Sequence, residues 1–248
     1  MADNSARFDP HADDVFARIA SKYDYLCDIF SLGAHRLWKR RMSAEISSNK
    51  NGKILDMASG TGDIALRVAK TLETTKSKAT VIASDICPAM LDIAERKARS
   101  RSISKSILSF EILDAHNLRT IADNSIDIYA LSFAMKICDR DKLIPEAIRV
   151  LKPNGILYCL EASRIPFKPV HWAYLKYMEW CIPVIARIAT GGDRSAHDYL
   201  LKGIHDMPDQ KNFKAELETY GFHKVGFKNL SFGIIALHKA QKPPAKPQ

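Results

Sequence analysis

The chain has 248 residues, of which 46% are hydrophobic and 26% are charged, which is the composition of an ordinary folded protein and excludes an unstructured chain. Its five cysteines are widely spaced and form no CxxC pair, which argues against a disulfide framework and indicates free thiols in a reducing compartment. The net charge of +9 is compatible with a solvated surface, an anionic membrane or nucleic acid, and does not by itself distinguish these.

Strand and helix patterns alternate through most of the chain. Residues 1–12 lack periodicity and are expected to be flexible, and residues 13–238 are expected to form one domain that begins with a helical extension over residues 13–48. Short apolar runs predict strands near Lys53–Met57, Thr80–Ser84, Leu108–Leu113, Ile126–Leu131 and Ile156–Leu160. Because helices follow four of these strands, we expect a parallel sheet that is covered on both faces.

The last part of the predicted domain departs from this alternation. Residues 165–220 are mostly helical and long enough to form a lid over the strand ends. Two further strands, Lys224–Leu230 and Gly233–His238, are separated by only two residues and must therefore pair antiparallel. Residues 239–248 are basic and proline-rich and are expected to be a flexible tail. The predicted fold is α/β and Rossmann-like, with a seven-stranded, mostly parallel sheet, an antiparallel C-terminal hairpin and a helical lid, which is typical of class I methyltransferases.

A glycine-containing turn, Asp56–Asp63, joins the first strand to the following helix. Gly60 and Gly62 allow unusual backbone angles and the close approach of a ligand. A dinucleotide-binding turn is the main alternative, but its usual spacing needs a third glycine where Asp63 stands, and in the shifted frame Asp56 would repel a pyrophosphate. The turn therefore favours S-adenosylmethionine, which carries an ammonium and a sulfonium. The expected contacts in this turn are Asp56, Ala58, Gly60, Thr61 and Gly62.

Further candidate contacts stand at the ends of the next strands. Asp85 can accept hydrogen bonds from both ribose hydroxyls, and Asp114 can accept one from the exocyclic amine of adenine. Ile86 and Met90 could lie on the two sides of the adenine. Each residue alone has an ordinary structural explanation, such as a helix cap or core packing, but their order at successive strand ends favours a methyl-donor site. The predicted contacts are Asp85, Ile86, Met90, Asp114, Ala115 and, at the end of the fourth strand, Ser132.

Several segments resemble the ubiquinone/menaquinone biosynthesis C-methyltransferase family, over roughly Val15 to His238. They are Ala20–Asp24 (ASKYD), Ser31–Lys39 (SLGAHRLWK), Leu55–Asp63, Arg149–Gly155 (RVLKPNG), Met207–Gln210 (MPDQ) and Gly233–His238. The resemblance implies S-adenosylmethionine as methyl donor and methylation of a ring carbon of a polyprenylated quinol at the membrane. It also implies donor contacts from Lys22 and Tyr23, and a catalytic role for Asp85 in removing a proton through water.

The sequence departs from the family pattern near the expected acceptor pocket. After the fourth strand the family has Ser-Phe-Gly-Leu-Arg-Asn, whereas this chain has SFAMKI at Ser132–Ile137. Lys136 replaces a catalytic arginine and lacks its planar fork, and Cys27 replaces an asparagine. We expect Lys136 to stabilise the phenolate of the acceptor. The expected acceptor contacts are Phe133, Met135, His197 and Tyr199. A methyltransferase for another small aromatic or phenolic acceptor, or a non-catalytic S-adenosylmethionine-binding protein of the quinone pathway or of regulation, stays open.

The segment Val170–Ile188 is rich in aromatic and aliphatic residues but includes Lys176, Glu179 and Arg187, so it suits a lid that touches a membrane surface and not a membrane span. We expect a cytoplasmic protein that acts on a small hydrophobic aromatic or quinol and associates weakly with the inner face of the membrane. Nucleic acid is not expected as a partner, because the fourth strand lacks the motif of amino-group base methylation, and a homodimer stays open. No metal site is expected, because the group His197, Asp198 and His205 offers no third firm ligand.

Overall fold

The computed structural model describes residues 14–48, 52–190 and 206–245. Seven strands form one sheet: β1 Lys53–Met57, β2 Thr80–Asp85, β3 Leu108–Ile112, β4 Ile126–Ser132, β5 Leu151–Ala162, β6 His223–Leu230 and β7 Ile235–Gln241. Their order across the sheet is β3-β2-β1-β4-β5-β7-β6. β7 pairs antiparallel with β5 and β6, and the other neighbouring strands pair parallel. The predicted fold class is therefore confirmed.

The α-helices in the described residues are α1 Asp14–Ile19, α2 Tyr23–Ser31, α3 Ala34–Ser47, α4 Asp63–Thr74, α5 Pro88–Ser100, α6 Arg140–Val150, α7 Lys168–Thr190 and α8 Gln210–Thr219. The first three helices lie in the predicted N-terminal extension, and α7 and α8 lie in the predicted lid segment. α2 packs against both α3 and α7. Within the described ranges, no helix has the length and apolar content that a membrane crossing requires.

Alternate side chains of the central strands pack on opposite faces of the sheet. In β1, Leu55 belongs to one hydrophobic core and Ile54 to the other. β4 repeats this pattern, with Tyr129 and Leu131 on one face and Ile128 on the other. Because both faces are buried, the polar groups that could perform chemistry are confined to the ends of the strands.

The strand order reverses between β1 and β4, and open α/β sheets bind ligands outside the carboxyl ends of their strands at such a point. Met57, the last residue of β1, is in register with Ser84 of β2 and with Leu131 of β4. The ends of these three strands therefore lie side by side. The loops that follow these strands share one edge of the sheet. The residues predicted to contact the methyl donor stand in these loops and at these strand ends.

Two strands extend beyond their predicted ends. β5 begins at Leu151, whereas the sequence predicted a start near Ile156. β7 continues through Gln241, so Lys239, Ala240 and Gln241, which we expected in a flexible tail, belong to the sheet. Lys239 is in register with Tyr158 of β5, and its ammonium lies 5.6 Å from the centre of that ring. The extra length of β7 comes from backbone pairing with β5, and a pattern of alternating apolar residues does not reveal such pairing.

Gly62→Ala should destabilise the fold by about 3 kcal/mol, because an alanine there is strained and overpacked. Gly62 has a φ of 85°, and an added Cβ would lie 2.9 Å from the Cβ of Ala94 and 3.2 Å from Cδ1 of Leu66. The matched control is Gly226→Ala in β6, where an added Cβ would meet nothing within 4 Å, and which should change stability by less than about 0.5 kcal/mol. Urea denaturation measures both, and equal losses would contradict the packing role of Gly62.

Candidate active site

The turn after β1 holds Ala58, Gly60 and Gly62 in the left-handed region, with φ values of 50°, 54° and 85°. The two glycines have different surroundings. A Cβ at Gly62 would collide with Ala94, so that glycine permits α4 and α5 to pack closely. A Cβ at Gly60 would meet only the Tyr23 ring, at 3.8 Å, so the space over Gly60 is open. The turn is therefore shaped at Gly60 to admit a ligand.

Asp85, the last residue of β2, closes this turn. Its Oδ2 accepts a hydrogen bond from Gly60 N at 2.8 Å, and its Oδ1 accepts one from Cys87 N at 2.9 Å. Burial raises the pKa of the Asp85 carboxyl, although the hydrogen bonds from Cys87 and Gly60 oppose that effect. A carboxylate has about four acceptor positions, so Asp85 keeps capacity to accept from a hydroxyl of a bound ligand beside its backbone hydrogen bonds.

The loop after β3 supplies a second carboxylate. Asp114 Oδ1 accepts a hydrogen bond from His116 N at 2.9 Å and lies 3.0 Å from His116 Nδ1. The other ring nitrogen, Nε2, accepts a hydrogen bond from Asp139 N at 2.9 Å. Ile86 and the buried Met90 line the same cavity as Asp114. This region offers both a hydrogen-bond acceptor and apolar surfaces for a flat ring.

The N-terminal extension covers the glycine turn. Asp24 of α2 accepts a hydrogen bond from the Thr61 hydroxyl at 2.5 Å and forms an ion pair with Lys97 of α5. Lys39 of α3 forms a second ion pair, with Nζ 2.9 Å from Oδ2 of Asp63 in the first turn of α4. Both side chains of this second pair are mostly buried. The two pairs hold α2 and α3 against the turn.

Lys136 lies on the loop between β4 and α6, in a buried ion pair with Glu161 of β5. Its Nζ is 3.0 Å from Glu161 Oε1 and donates a second hydrogen bond to Phe133 O at 2.5 Å. Its backbone N donates to Glu161 Oε2 at 3.2 Å. The Phe133 ring centre lies 5.4 Å from Nζ and 6.2 Å from the Trp38 ring centre. The Lys136 ammonium is therefore fixed from several sides.

These loops and helices enclose a cavity of about 550 Å³. This volume falls in the usual range for small-molecule sites, roughly 300–1,000 Å³. Asp85, Asp114 and Lys136 lie in its wall, which is otherwise largely apolar. Helices α1, α2, α3 and α7 contribute aromatic and aliphatic side chains to this wall: Phe16, Phe30, Trp38, Tyr174, Tyr177 and Met178. A polar ligand and a hydrophobic ligand could both contact this wall.

The structure brings most of the predicted site residues into the cavity wall. They are Tyr23, Ala58, Gly60, Asp85, Ile86, Met90, Asp114, Ala115, Ser132, Phe133 and Lys136. The predicted residues outside the wall are Lys22, Asp56, Thr61, Gly62 and Met135. Lys22 is exposed at the end of a 3-10 helix, and Met135 is buried in the core. His197 and Tyr199 lie outside the described residues.

Asp56, which we expected to face the cationic groups of the donor, lies behind the turn. It is 1% exposed, and its Oδ2 accepts a hydrogen bond from Ala65 N at 2.9 Å. Its Oδ1 has no hydrogen-bond partner in the part of the chain that the structure describes. Burial raises the pKa of the Asp56 carboxyl to about 7. Asp56 therefore holds the start of α4 and supports the cavity wall from behind.

The wall also contains polar residues that were not predicted from the sequence, among them His35, Lys39 and His116. His35 is buried, and its Nε2 lies 2.9 Å from Asp28 Oδ1. His35 and Lys39 stand four residues apart in the SLGAHRLWK segment and so share one face of a helix, a spacing that could have identified them. His116 had no comparable signal, because its role depends on the approach of a distant loop.

The described ranges contain no group of three or more His, Cys, Asp or Glu side chains placed to hold a metal ion. His197, Asp198 and His205, the residues weighed from the sequence as metal ligands, fall outside those ranges. The expectation that the protein has no metal site therefore stays a prediction.

The chain matches known proteins over nearly its whole length. A model of the ubiE/COQ5 methyltransferase family matches residues 4–242. The chain is 40% identical to the ubiquinone/menaquinone biosynthesis C-methyltransferase UbiE of Rickettsia felis (strain ATCC VR-1525 / URRWXCal2) and 39% identical to that of Rickettsia bellii (strain OSU 85-389). Each alignment spans 229 residues and covers 92% of this chain and 91% of the relative.

A solved structure supports the fold. It is a SAM-dependent methyltransferase from Thermotoga maritima, described as a possible histamine N-methyltransferase, and it has a TM-score of 0.61 at 18% identity. The superposition covers 94% of this chain and all of that chain (100%). Since the family model spans nearly the whole sequence and the relatives align over nine-tenths of it, this chain belongs to the ubiE/COQ5 methyltransferase family and is a methyltransferase.

Proposed function

We propose that the protein transfers a methyl group from S-adenosylmethionine to a ring carbon of a polyprenylated quinol. The observation that carries this proposal is a single cavity whose wall joins the glycine turn, Asp85 and Asp114 to a large apolar surface. Direct methyl transfer needs the donor and a hydrophobic acceptor in one enclosed space. The relatives are named ubiquinone/menaquinone biosynthesis C-methyltransferases, which supports both transfer to carbon and this class of acceptor.

S-adenosylmethionine, when bound, supplies a methyl group on a positively charged sulfur that is already a good leaving group. Asp85 would accept hydrogen bonds from the ribose hydroxyls at the positions that Gly60 and Cys87 leave free. Asp114 would accept from the adenine amine through Oδ2, because its described contacts use Oδ1. Ile86 and Met90 would pack against the adenine.

Lys39 and Tyr23 fit the amino-acid end of the donor. Both line the cavity, and Tyr23 lies over Gly60. Lys39 donates one hydrogen bond to Asp63, directly after the glycine turn, and an ammonium has two further protons to donate to a carboxylate. Lys22, the lysine expected from the family resemblance, is exposed and absent from the wall, so Lys39 is the better candidate for this contact.

We assign Lys136 to the methyl acceptor, as the cation that stabilises its phenolate. A ring carbon becomes a good nucleophile when its neighbouring hydroxyl is deprotonated, and a free phenol has a pKa of about 10. The Lys136 ammonium, held by Glu161 and Phe133 O, would stabilise the phenolate. Asp85 would accept a proton through water, because burial raises the pKa of its carboxyl and makes it a stronger base than an exposed aspartate.

We also propose that the mouth of the cavity rests on an anionic membrane surface. Leu32 and Tyr177 line the cavity and are 81% and 39% exposed, so they mark its mouth. Ser231 also lines the cavity, and the neighbouring Phe232 is 89% exposed. Ser231 and Phe232 have positive φ values, 46° and 59°, and this conformation is costly for residues other than glycine. The turn therefore holds an aromatic ring in solvent beside the mouth.

Cations accompany these apolar side chains. Leu37 on α3 is 67% exposed and stands between Arg40 and Arg36, both exposed, of which Arg36 is paired with Asp28. Trp180 on α7 is 78% exposed. Basic residues near an anionic surface contribute about 1 kcal/mol each, and exposed apolar side chains gain by entering the interface. A polyprenyl acceptor could then pass from the bilayer into the cavity without crossing water.

The methyl donor can be tested through Asp85. Wild-type protein should bind S-adenosylhomocysteine with a micromolar Kd, about −8 kcal/mol, and Asp85→Asn should weaken binding at least tenfold. The reason is that an amide would turn an N–H toward Gly60 N or Cys87 N, where an acceptor is needed. Asp92→Asn, an exposed position on α5, is the matched control for titration calorimetry. Binding of a dinucleotide in place of S-adenosylhomocysteine would refute the proposed donor.

The role of Lys136 can be tested with methyl-labelled donor and a demethylated polyprenyl quinol, by mass spectrometry of the product. Lys136→Met should lower turnover about a hundredfold while the Kd for S-adenosylhomocysteine stays within about twofold, and Lys136→Arg should be partly active.

Lys136→Met alone also leaves the Glu161 charge buried and unpaired, which costs about 3–5 kcal/mol. The double variant Lys136→Met with Glu161→Gln removes that charge. It is compared with Glu161→Gln alone, because the amide would also turn an N–H toward Lys136 N or Ala162 N. Normal turnover in the folded double variant would exclude a catalytic role for Lys136, and no turnover by the wild type on any polyprenyl quinol would exclude the proposed acceptor.

Membrane binding can be measured by vesicle flotation. Wild-type protein should float with phosphatidylglycerol-containing vesicles more than with neutral ones, and the difference should shrink as salt rises. Phe232→Ser should reduce binding about tenfold, since a buried Phe side chain contributes about 1.5–3 kcal/mol. Ile112→Ser is the control, because Ile112 is 63% exposed on β3 at the other edge of the sheet. Equal binding by both variants would argue against this surface.

A further inference from the structure

His116 connects the two loops that carry opposite parts of the site. Its side chain is 13% exposed and lines the cavity. Nδ1 lies 3.0 Å from Oδ1 of Asp114, in the loop after β3, and Nε2 accepts a hydrogen bond from the backbone of Asp139 at 2.9 Å. Asp139 ends the loop Phe133–Asp139, which also carries Lys136. The ring of His116 therefore directly links Asp114, which we propose contacts the methyl donor, to the loop Phe133–Asp139, which carries Lys136.

The partners of His116 determine its tautomer. A backbone N–H can only donate, so Nε2 must be the acceptor and the ring proton must be on Nδ1, which lies 3.0 Å from Oδ1 of Asp114. Asp114 Oδ1 also accepts from His116 N at 2.9 Å. Both contacts therefore engage the same carboxylate oxygen and restrict the rotation of a side chain that is 41% exposed.

We propose, resting on the proposed methyl donor, that His116 is a positioning residue with two separable effects. It orients the Asp114 carboxylate toward an exocyclic amine on the purine of the donor, and through Asp139 it orders the loop Phe133–Asp139. A fixed carboxylate rejects a purine that carries an exocyclic oxygen, because two acceptors would then face each other. The ordered loop in turn holds Lys136 beside the acceptor.

The two ring contacts, from Nδ1 to Asp114 and from Nε2 to Asp139 N, can be removed one at a time. His116→Asn places a side-chain amide close to the position of Nδ1, where it can donate to Asp114 but does not reach Asp139. His116→Gln places the amide close to the position of Nε2, where its oxygen can accept from Asp139 N. Neither variant adds a charge or a bulky group, so both should fold.

The first measurement is the affinity for S-adenosylhomocysteine and for S-inosylhomocysteine, by titration calorimetry. Wild-type protein should prefer the adenosyl compound about a hundredfold, His116→Asn should keep most of that preference, and His116→Gln should reduce it about tenfold. The second measurement is amide hydrogen exchange in the loop Phe133–Asp139, by mass spectrometry. His116→Asn should exchange there about tenfold faster than wild type, and His116→Gln at the wild-type rate.

His223→Asn is the matched control, because His223 contacts Gln241 in the hairpin and should change neither measurement. Opposite effects of His116→Asn and His116→Gln on the two measurements would support the proposal. Two variants that behave alike, or both like the wild type, would overturn the role of His116 alone. A wild-type protein that binds neither nucleoside would instead overturn the proposed donor, and this inference with it.

Discussion

The site depends on one buried carboxylate, that of Asp85, at the end of β2. Its two oxygens accept hydrogen bonds from Gly60 N, in the turn after β1, and from Cys87 N, at the start of α5. Without that acceptor, two backbone N–H groups would be left unsatisfied in a partly enclosed space, at about 1–3 kcal/mol each. The charge is tolerated there because hydrogen bonds replace the water that it loses. The group that shapes the turn is therefore also the group that faces the cavity.

Most other charges near the cavity are held in pairs. Lys39 is paired with Asp63, and Lys136 is paired with Glu161. Buried ion pairs add little net stability, because desolvation offsets the attraction between the charges, but they fix the position of each group. An apolar wall with a few immobilised charges keeps the local dielectric constant low, and under that condition a fixed cation has its greatest effect on a developing phenolate.

The sequence predicted those features that local patterns determine. The strands followed from apolar runs, and the carboxylates Asp85 and Asp114 followed from their places at strand ends, since parallel strands bring their carboxyl ends to one edge. The sequence could not show on which side of the turn the Asp56 side chain would lie, because that depends on the first N–H groups of α4. The length of β7 through Gln241 depends on backbone pairing, and the link through His116 depends on two loops that meet only in the folded chain.

The position of β7 affects how the nascent chain can fold. Among the seven strands of this sheet β7 is the last along the chain, yet it lies between β5 and β6. The strands from β1 to β5 can pair while synthesis continues, but β5 then keeps an open edge until β7, which follows segment 163–234, has been made. An open edge of a sheet is a template for pairing with other chains. The growing polypeptide is therefore exposed to aggregation through this edge, and a chaperone that covers it would protect the chain until the β6–β7 hairpin forms.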